Sequence, residues 1–304
     1  MMTAFSVSLL CAVALAVGAR EIGRRASPRL GSAALVAAAL TVAVAADAAL
    51  AVLIGARLLD VAPLAGLLGW RAERPGHIPV PVPVTVIAAG LLVFTAVRGA
   101  ADWRSARRGW RRLHELPSDA PGTELIVMRS PAFVAHALPA RRSSPGRIVV
   151  SDGLLSSLDA AERRVVLAHE RSHLRNRHDR YRTLVRIAAR INPLMRPAVA
   201  ATDLLLERWA DEDAARAVGS RRVAARALAR AAITATAARS APEPAGFAAL
   251  AVSTRVQALL APAPAAGSRT ALVVLPALAL TAAVSAGLAT HDLAHLFDLL
   301  RGDG

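Results

Sequence analysis

His169-Glu170-Arg171-Ser172-His173 sets two imidazoles four residues apart with a carboxylate beside the first of them. On an α-helix this spacing stacks the histidines on one face, so both rings can reach a single metal ion while the glutamate borders the same space. Zn²⁺ suits such donors, and a catalytic zinc takes three protein ligands and leaves a fourth position open to water. The chemistry expected is peptide-bond hydrolysis, with Glu170 as general base toward water acidified by the metal.

The third ligand has to come from another element. Leu204-Leu205-Leu206-Glu207-Arg208-Trp209-Ala210-Asp211 has helical periodicity, and Glu207 is the expected ligand. Asp211 lies one turn further on the same face, where it can hydrogen-bond a liganding imidazole and fix its tautomer. The adjoining Glu212 and Asp213 read as a solvated helix face, and His178-Asp179 reads either as a pair supporting a liganding residue or, preferred, as a solvated loop. A hydrolytic oxyanion needs a donor besides the metal, and His136, His178, Tyr181 and Arg255 are the candidates.

The elements that position these groups are legible around them. Asp159 with Glu162 three residues on is a capping box, followed by apolar Val165, Val166 and Ala168, so the motif falls about three turns into an amphipathic helix. Thr123 to Met128 and Arg147 to Ser151 read as short strands, because β-branched residues cluster there between turn-forming ones. A strand near Arg147 to Val150, or near Phe133 to Ala137, is expected to bind the peptide by strand addition.

Taken together, Gly146-Arg-Ile-Val-Val-Ser-Asp-Gly-Leu-Leu155, Leu158-Asp-Ala-Ala-Glu162, the His169–His173 motif and Glu207-Arg-Trp-Ala-Asp211 resemble the BlaR/MecR-type integral-membrane metallopeptidases. These are relatives of the HtpX/Ste24-type membrane proteases among the gluzincins, and the resemblance covers roughly residues 120 to 260. It implies His169, His173 and Glu207 as zinc ligands, Glu170 as general base and Asp211 as the partner of a liganding histidine. It also implies a zincin-like α+β fold, with either a transcription repressor as a regulatory substrate or, as in quality control of HtpX type, membrane proteins; a non-catalytic membrane signalling or scaffold protein is the alternative to an enzyme. The antibiotic-sensing members carry an extracellular penicillin-binding domain, for which the residues up to Gly304 leave no room, so direct β-lactam sensing is not expected.

Four apolar runs are each near the ~20 residues that cross a bilayer: 3–19, 33–54, 78–97 and Ala271 to Thr290. The first has no basic residue ahead of it, as a retained helix rather than a cleaved signal would. The loop after it carries Arg20, Arg24, Arg25 and Arg29 against Glu21, which by the positive-inside bias faces the cytoplasm. The expected architecture is a mainly α membrane protein. Three transmembrane helices occupy 1–98, a cytoplasmic metallopeptidase domain occupies 99–269, and the last helix with a short tail occupies 270–304. The organism is expected to be bacterial, with the chain in the cell membrane.

All 37 basic residues are arginine, and the net charge is +15. With no helix-turn-helix and no aromatic stacking platform, nucleic acid is not an expected partner; anionic headgroups are. Trp103, Trp110 and Leu113 form a stripe amid arginines from Ala101 to Leu116, as in a helix lying along the inner leaflet. Asp47, within the second run, predicts an interhelical contact. Cys11 is the single cysteine, which excludes an intrachain disulfide and a thiolate zinc site. Pro262, Pro264 and Gly267 mark the linker into the last helix.

Overall fold

The computed structural model describes residues 2–58, 80–112, 123–131, 134–140, 145–237, 246–262 and 269–301. It is mainly helical with one small sheet. Helices α1 (Met2–Arg25) and α2 (Pro28–Leu58) form a hairpin, followed by α3 (Val82–Arg112). The sheet comprises β1 (Leu125–Met128), β2 (Ala135–Leu138) and β3 (Arg147–Ser151). Then come α4 (Asp152–Ser157), α5 (Ala160–Arg175), α6 (His178–Ile191) and α7 (Arg196–Val218). The chain continues with α8 (Arg221–Ala237), α9 (Gly246–Leu260) and α10 (Arg269–Arg301).

Four helices are long and apolar enough to cross a membrane: Thr3–Arg25, Pro28–Leu58, Val82–Ala101 and Leu272–His295. They overlap all four apolar runs, the third starting later than expected at Val82, and at their carboxyl ends they extend past the runs, because hydropathy falls at the first charge whereas helical hydrogen bonding does not. α1 thus continues through Arg20 to Arg25, and α3 continues without a break to Arg112. The side chains of Trp103 and Trp110, and residues 113–116, lie outside the described residues, as do Pro264 and Gly267. Half-buried Asp47 lines a cleft of about 470 Å³ with Thr95 and Gly99 of α3 and Arg190 of α6, an interhelical position.

The largest core does not stop at the last apolar residue. Leu15, Leu35, Val42, Leu275 and Ala282 of the long helices share it with Val185 and Ala188 of α6 and with Ala198, Ala201 and Leu205 of α7. Gly23 makes the close approach of α1 to α7 possible: a Cβ there would lie 3.0 Å from Ala201 Cα. The membrane hairpin therefore packs directly on the helix that carries Glu207.

The strand order is β1-β3-β2, with β1 parallel and β2 antiparallel to β3. Ile148 and Val150 are fully buried and pack with Leu154, Leu158 and, from α5, Val166, Leu167 and Leu174. This order corrects one expectation. Arg147 to Val150 lies in the central strand, whose backbone groups are paired on both sides, so it cannot accept a peptide; among the described residues β1 and β2 are the edges.

α5 begins where the capping box places it. Asp159 accepts from Glu162 N–H at 2.8 Å, and the Glu162 carboxylate accepts from Asp159 N–H at 3.0 Å. Glu162 is fully buried, yet Arg230 at 2.9 Å and Arg226 at 3.2 Å satisfy its oxygens and fasten α8 to the start of α5.

Asp213 is a second correction, because it is not on a solvated face. Nearly buried, its Oδ2 accepts from Ser172 Oγ at 2.6 Å, Asn176 Nδ2 at 2.8 Å and Arg175 Nη2 at 2.9 Å, and Arg216 pairs with its other oxygen. Glu212 is also engaged, by Arg221 at 2.6 Å. Asp213 thereby holds the end of α5 against α7 and steadies the turn at Arg177, whose φ of 52° a β-carbon disfavours. Burial alone would raise the Asp213 carboxyl, but Ser172, Asn176 and the two arginines outweigh it and hold it below the usual range. Asp213→Ala is expected to destabilise the protein by about 2 kcal/mol at neutral pH, mostly from the buried Ser172 and half-buried Asn176, since Arg175 and Arg216 are exposed and return to water. A carboxyl whose pKa falls on folding contributes fully above its unfolded value, ~3.9. That contribution is lost as pH drops through the lower folded value. The gap between the two melting curves should begin to narrow below about pH 4 and close further as the pH falls through the folded value; a gap independent of pH would refute the ionised clamp.

Candidate metal centre

α5 presents His169, Glu170 and His173, and α7, packed alongside, presents Glu207 and Asp211. Because the ligands come from two helices of one core, their separation is set by helix packing rather than by a loop. His169 Nε2 lies 3.1 Å from His173 Nε2 and 3.3 Å from Glu207 Oε2, and His173 Nε2 lies 3.5 Å from Glu207 Oε1. These three residues form a group that could hold a metal ion. Tetrahedral coordination with zinc–ligand bonds of ~2.0–2.1 Å requires ligand atoms about 3.3–3.4 Å apart. The two histidine–Glu207 distances are near this but end on different carboxylate oxygens, and one ligand atom from each residue lies within 4.8 Å of the others, with the right donor chemistry.

The nitrogens facing away from the triangle explain how the rings are turned. His169 Nδ1 lies 3.0 Å from Asp211 Oδ1, which draws the proton to Nδ1 and leaves Nε2 toward the triangle. Burial opposes a charge on His169, but Asp211 and Glu207 push its pKa up to about 10, so the position between the two acids stabilises positive charge. His173 has no such acid behind it. Its Nδ1 lies 2.7 Å from Nδ1 of His178, and burial, with His169 nearby, lowers its pKa to about 3, which keeps the ring a neutral donor.

Arginines hold the acids. Arg255 places Nε and Nη2 each 2.7 Å from Asp211 in a two-pronged contact, and its Nη1 lies 3.2 Å from Glu207. Arg182 Nη2 donates to Glu207 Oε1 at 2.6 Å and its Nε to Asp203 at 3.2 Å. Burial would raise Glu207, but His169 and Arg255 beside it keep its carboxyl well below the usual range. Glu170 stands beside the triangle and is nearly buried. Burial raises its carboxyl; His169 opposes the rise, Glu207 reinforces it, and Ala137 N–H donates to it from β2.

The four oxyanion candidates separate by position. His178 is fully buried behind His173, at the start of α6, so neither the loop reading nor direct contact with substrate survives. Tyr181 packs at the edge of Trp209 with ring centres 6.0 Å apart and joins the large apolar core. Arg255 is held by Asp211 and Glu207. His136, exposed on β2, is close enough that its charge acts on Glu170. Sequence reasoning missed Arg182, although its place one turn after His178 on the same helical face, with acids at Asp203 and Glu207 needing cations, was available.

Residues 112–270, more than half of the chain, match the model of peptidase family M48. The chain belongs to peptidase family M48. No curated protein and no solved structure matches it. M48 peptidases are metal-dependent, and in this M48 peptidase the His169–His173–Glu207 group lies within the matched residues. With four apolar helices, it is a membrane-associated metallopeptidase. The match is to M48 and does not extend to the BlaR/MecR type specifically.

Proposed function

We propose that this M48 peptidase is a membrane-embedded zinc endopeptidase with His169, His173 and Glu207 as ligands, Glu170 as general base and Asp211 orienting His169. The observation that carries the proposal is the His169–His173–Glu207 group, with nearest contacts of 3.1–3.5 Å, and a further carboxylate, Glu170, beside it. Bound there, zinc would supply Lewis acidity that polarises a carbonyl and acidifies water. Glu170 takes a proton from the attacking water and later delivers it to the leaving amine nitrogen, a cycle favoured by the raised proton affinity of its buried carboxyl. Arg182 and Arg255 keep Glu207 ionised, so it remains a donor to metal rather than a competing base.

The free edge of β2 supports a peptide in extended form as substrate. Ser151 N–H donates to Val134 C=O, so residues 134, 136 and 138 turn their backbone groups toward β3, while Ala135 and Ala137 turn theirs to the open edge. A strand added there would run past Glu170, whose carboxylate already meets the Ala137 N–H. His136, on the same strand, is the best placed of the candidates to meet the oxyanion.

The domain reading remains 1–98, 99–269 and 270–304, with the arginine-rich loop after the first helix and the peptidase segment on the cytoplasmic side. The substrate on this reading is a cytoplasmic or membrane protein. The motif resemblance favours a regulatory target such as a transcription repressor over general quality control. The purified chain is expected to carry about one zinc, as a single three-ligand site would. Its cleavage of extended polypeptides should stop on chelation and return with zinc. A chain that binds no metal, or cleavage indifferent to chelators, would refute the proposal.

A further inference from the structure

The turn between α1 and α2 touches the supports of two of the three ligands, and this part of the molecule has no role in the chemistry above. Arg208 directly follows Glu207 on α7 and is nearly buried. Its Nη1 donates to the carbonyls of Gly23, Arg24 and Ala26 at 2.9, 3.0 and 3.1 Å. These carbonyls belong to the last turn of α1 and the residue after it, where a helix leaves acceptors without intrahelical partners and where a cation is favoured. The contact is therefore a three-point fastening between the end of a membrane helix and the backbone beside Glu207.

A second line runs from the same turn to His173. The Arg29 guanidinium lies 5.8 Å from the centre of the Trp209 ring, and Trp209 packs on His178 with ring centres 4.8 Å apart. His178 in turn meets His173, Nδ1 to Nδ1, at 2.7 Å. For His173 to offer Nε2 toward the ligand triangle, its Nδ1 carries the hydrogen, so His178 Nδ1 accepts and His178 holds its own hydrogen on Nε2. That Nε2 is buried and has no partner among the described residues, so packing against Trp209, rather than a hydrogen bond, keeps His178 in place. His169 is anchored from elsewhere, through Asp211 to Arg255 of α9, and Glu207 has contacts with Arg182 and Arg255 in addition to the turn that holds its backbone.

We propose that the α1–α2 turn is a structural member of the metal centre, holding Glu207 through Arg208 and His173 through Trp209 and His178, so that displacement of the first two helices changes metal affinity. The proposal rests on the zinc reading above. Arg208, Trp209 and His178 are on this view positioning residues, and the hairpin is a route by which an event in the membrane reaches the site. No space separates the parts: Gly23 lies so close to Ala201 that movement of the turn must move α7 or break the contact.

The test uses the full chain in detergent with Co²⁺ alone as the probe, reading affinity by chelator competition and ligand geometry by the visible absorption of the loaded protein. Arg208→Gln should weaken metal binding about 10- to 100-fold, the usual cost of removing a residue that orients a ligand, and should shift the cobalt bands. His178→Leu should do likewise, while His178→Asn, which keeps an acceptor for His173 Nδ1–H, should recover most of the loss. Inserting two glycines between Ser27 and Pro28 alters no residue that touches a ligand, and it decides the matter if Arg208→Gln fails to fold; it too should weaken binding. Arg230→Gln, which frees one contact of Glu162 at the far end of α5, should lower Tm without moving affinity or spectrum. Wild-type binding with unchanged affinity and spectrum in the turn-insertion and Arg208 variants overturns this proposal alone. A wild-type chain that takes up no cobalt overturns the zinc reading and this proposal together.

Discussion

Glu170→Gln is expected to lower kcat for peptide hydrolysis by about 10²- to 10⁴-fold, the range a positioned general base supplies, while about one zinc per chain remains bound. The substitution changes one atom of a side chain that is not part of the ligand triangle, so the donor set His169, His173 and Glu207 is left whole. An amide oxygen can still accept from Ala137 N–H, which the carboxylate now meets, so the strand need not move. What the amide cannot do is take a proton from water. Metal analysis and single-turnover cleavage on the same preparation separate the two effects. Cleavage undiminished with zinc retained would remove Glu170 from the mechanism; loss of zinc together with activity would make it a structural residue.

Glu207→Ala should have the opposite signature, with metal lost and the fold kept. Deleting a carboxylate between two guanidiniums ordinarily risks leaving buried charge unpaired. Here Arg182 retains Asp203 at 3.2 Å and Arg255 retains Asp211 at 2.7 Å, so neither cation is stranded. Two histidines alone make a poor zinc site, and affinity should fall by more than the ~10- to 100-fold that loss of a ligand's hydrogen-bond partner costs. Cleavage at stoichiometric zinc should drop to background while the far-ultraviolet circular dichroism stays that of wild type. Zinc bound as tightly as in wild type would exclude Glu207 as a ligand. Read beside Arg208→Gln, the series distinguishes a lost donor from a displaced one, because only the displaced donor leaves a loaded protein with altered cobalt bands.

The family match at residues 112–270 reaches from the end of α3 to the start of α10, so the unit that family members share includes the sheet, both ligand-bearing helices and α9 with Arg255. The fastening residues Gly23, Arg24, Ala26 and Arg29 lie before it.

Features set by neighbours in the chain were legible without a structure. The four-residue spacing of His169 and His173, the Asp159–Glu162 cap and the four apolar runs each follow from helical period or local hydropathy. Glu207 and Asp211 shared a face for the same reason, although nothing local said which of the nearby acids would meet a histidine. Which groups are buried, and against what, was decided by packing between distant segments. Asp213 looks like any surface acid until Ser172 and Asn176 close over it, and His178 looks like part of a loop until Trp209 covers it. Arg147 to Val150 has the composition of any strand, and only the order β1-β3-β2 makes it central and leaves β1 and β2 as edges among the described residues. Arg208 reads as one charge in a basic helix until α1 ends against it. Local spacing could therefore determine which residues face together, whereas strand order, burial and the reach of one helix end to another depend on contacts between segments far apart in the chain.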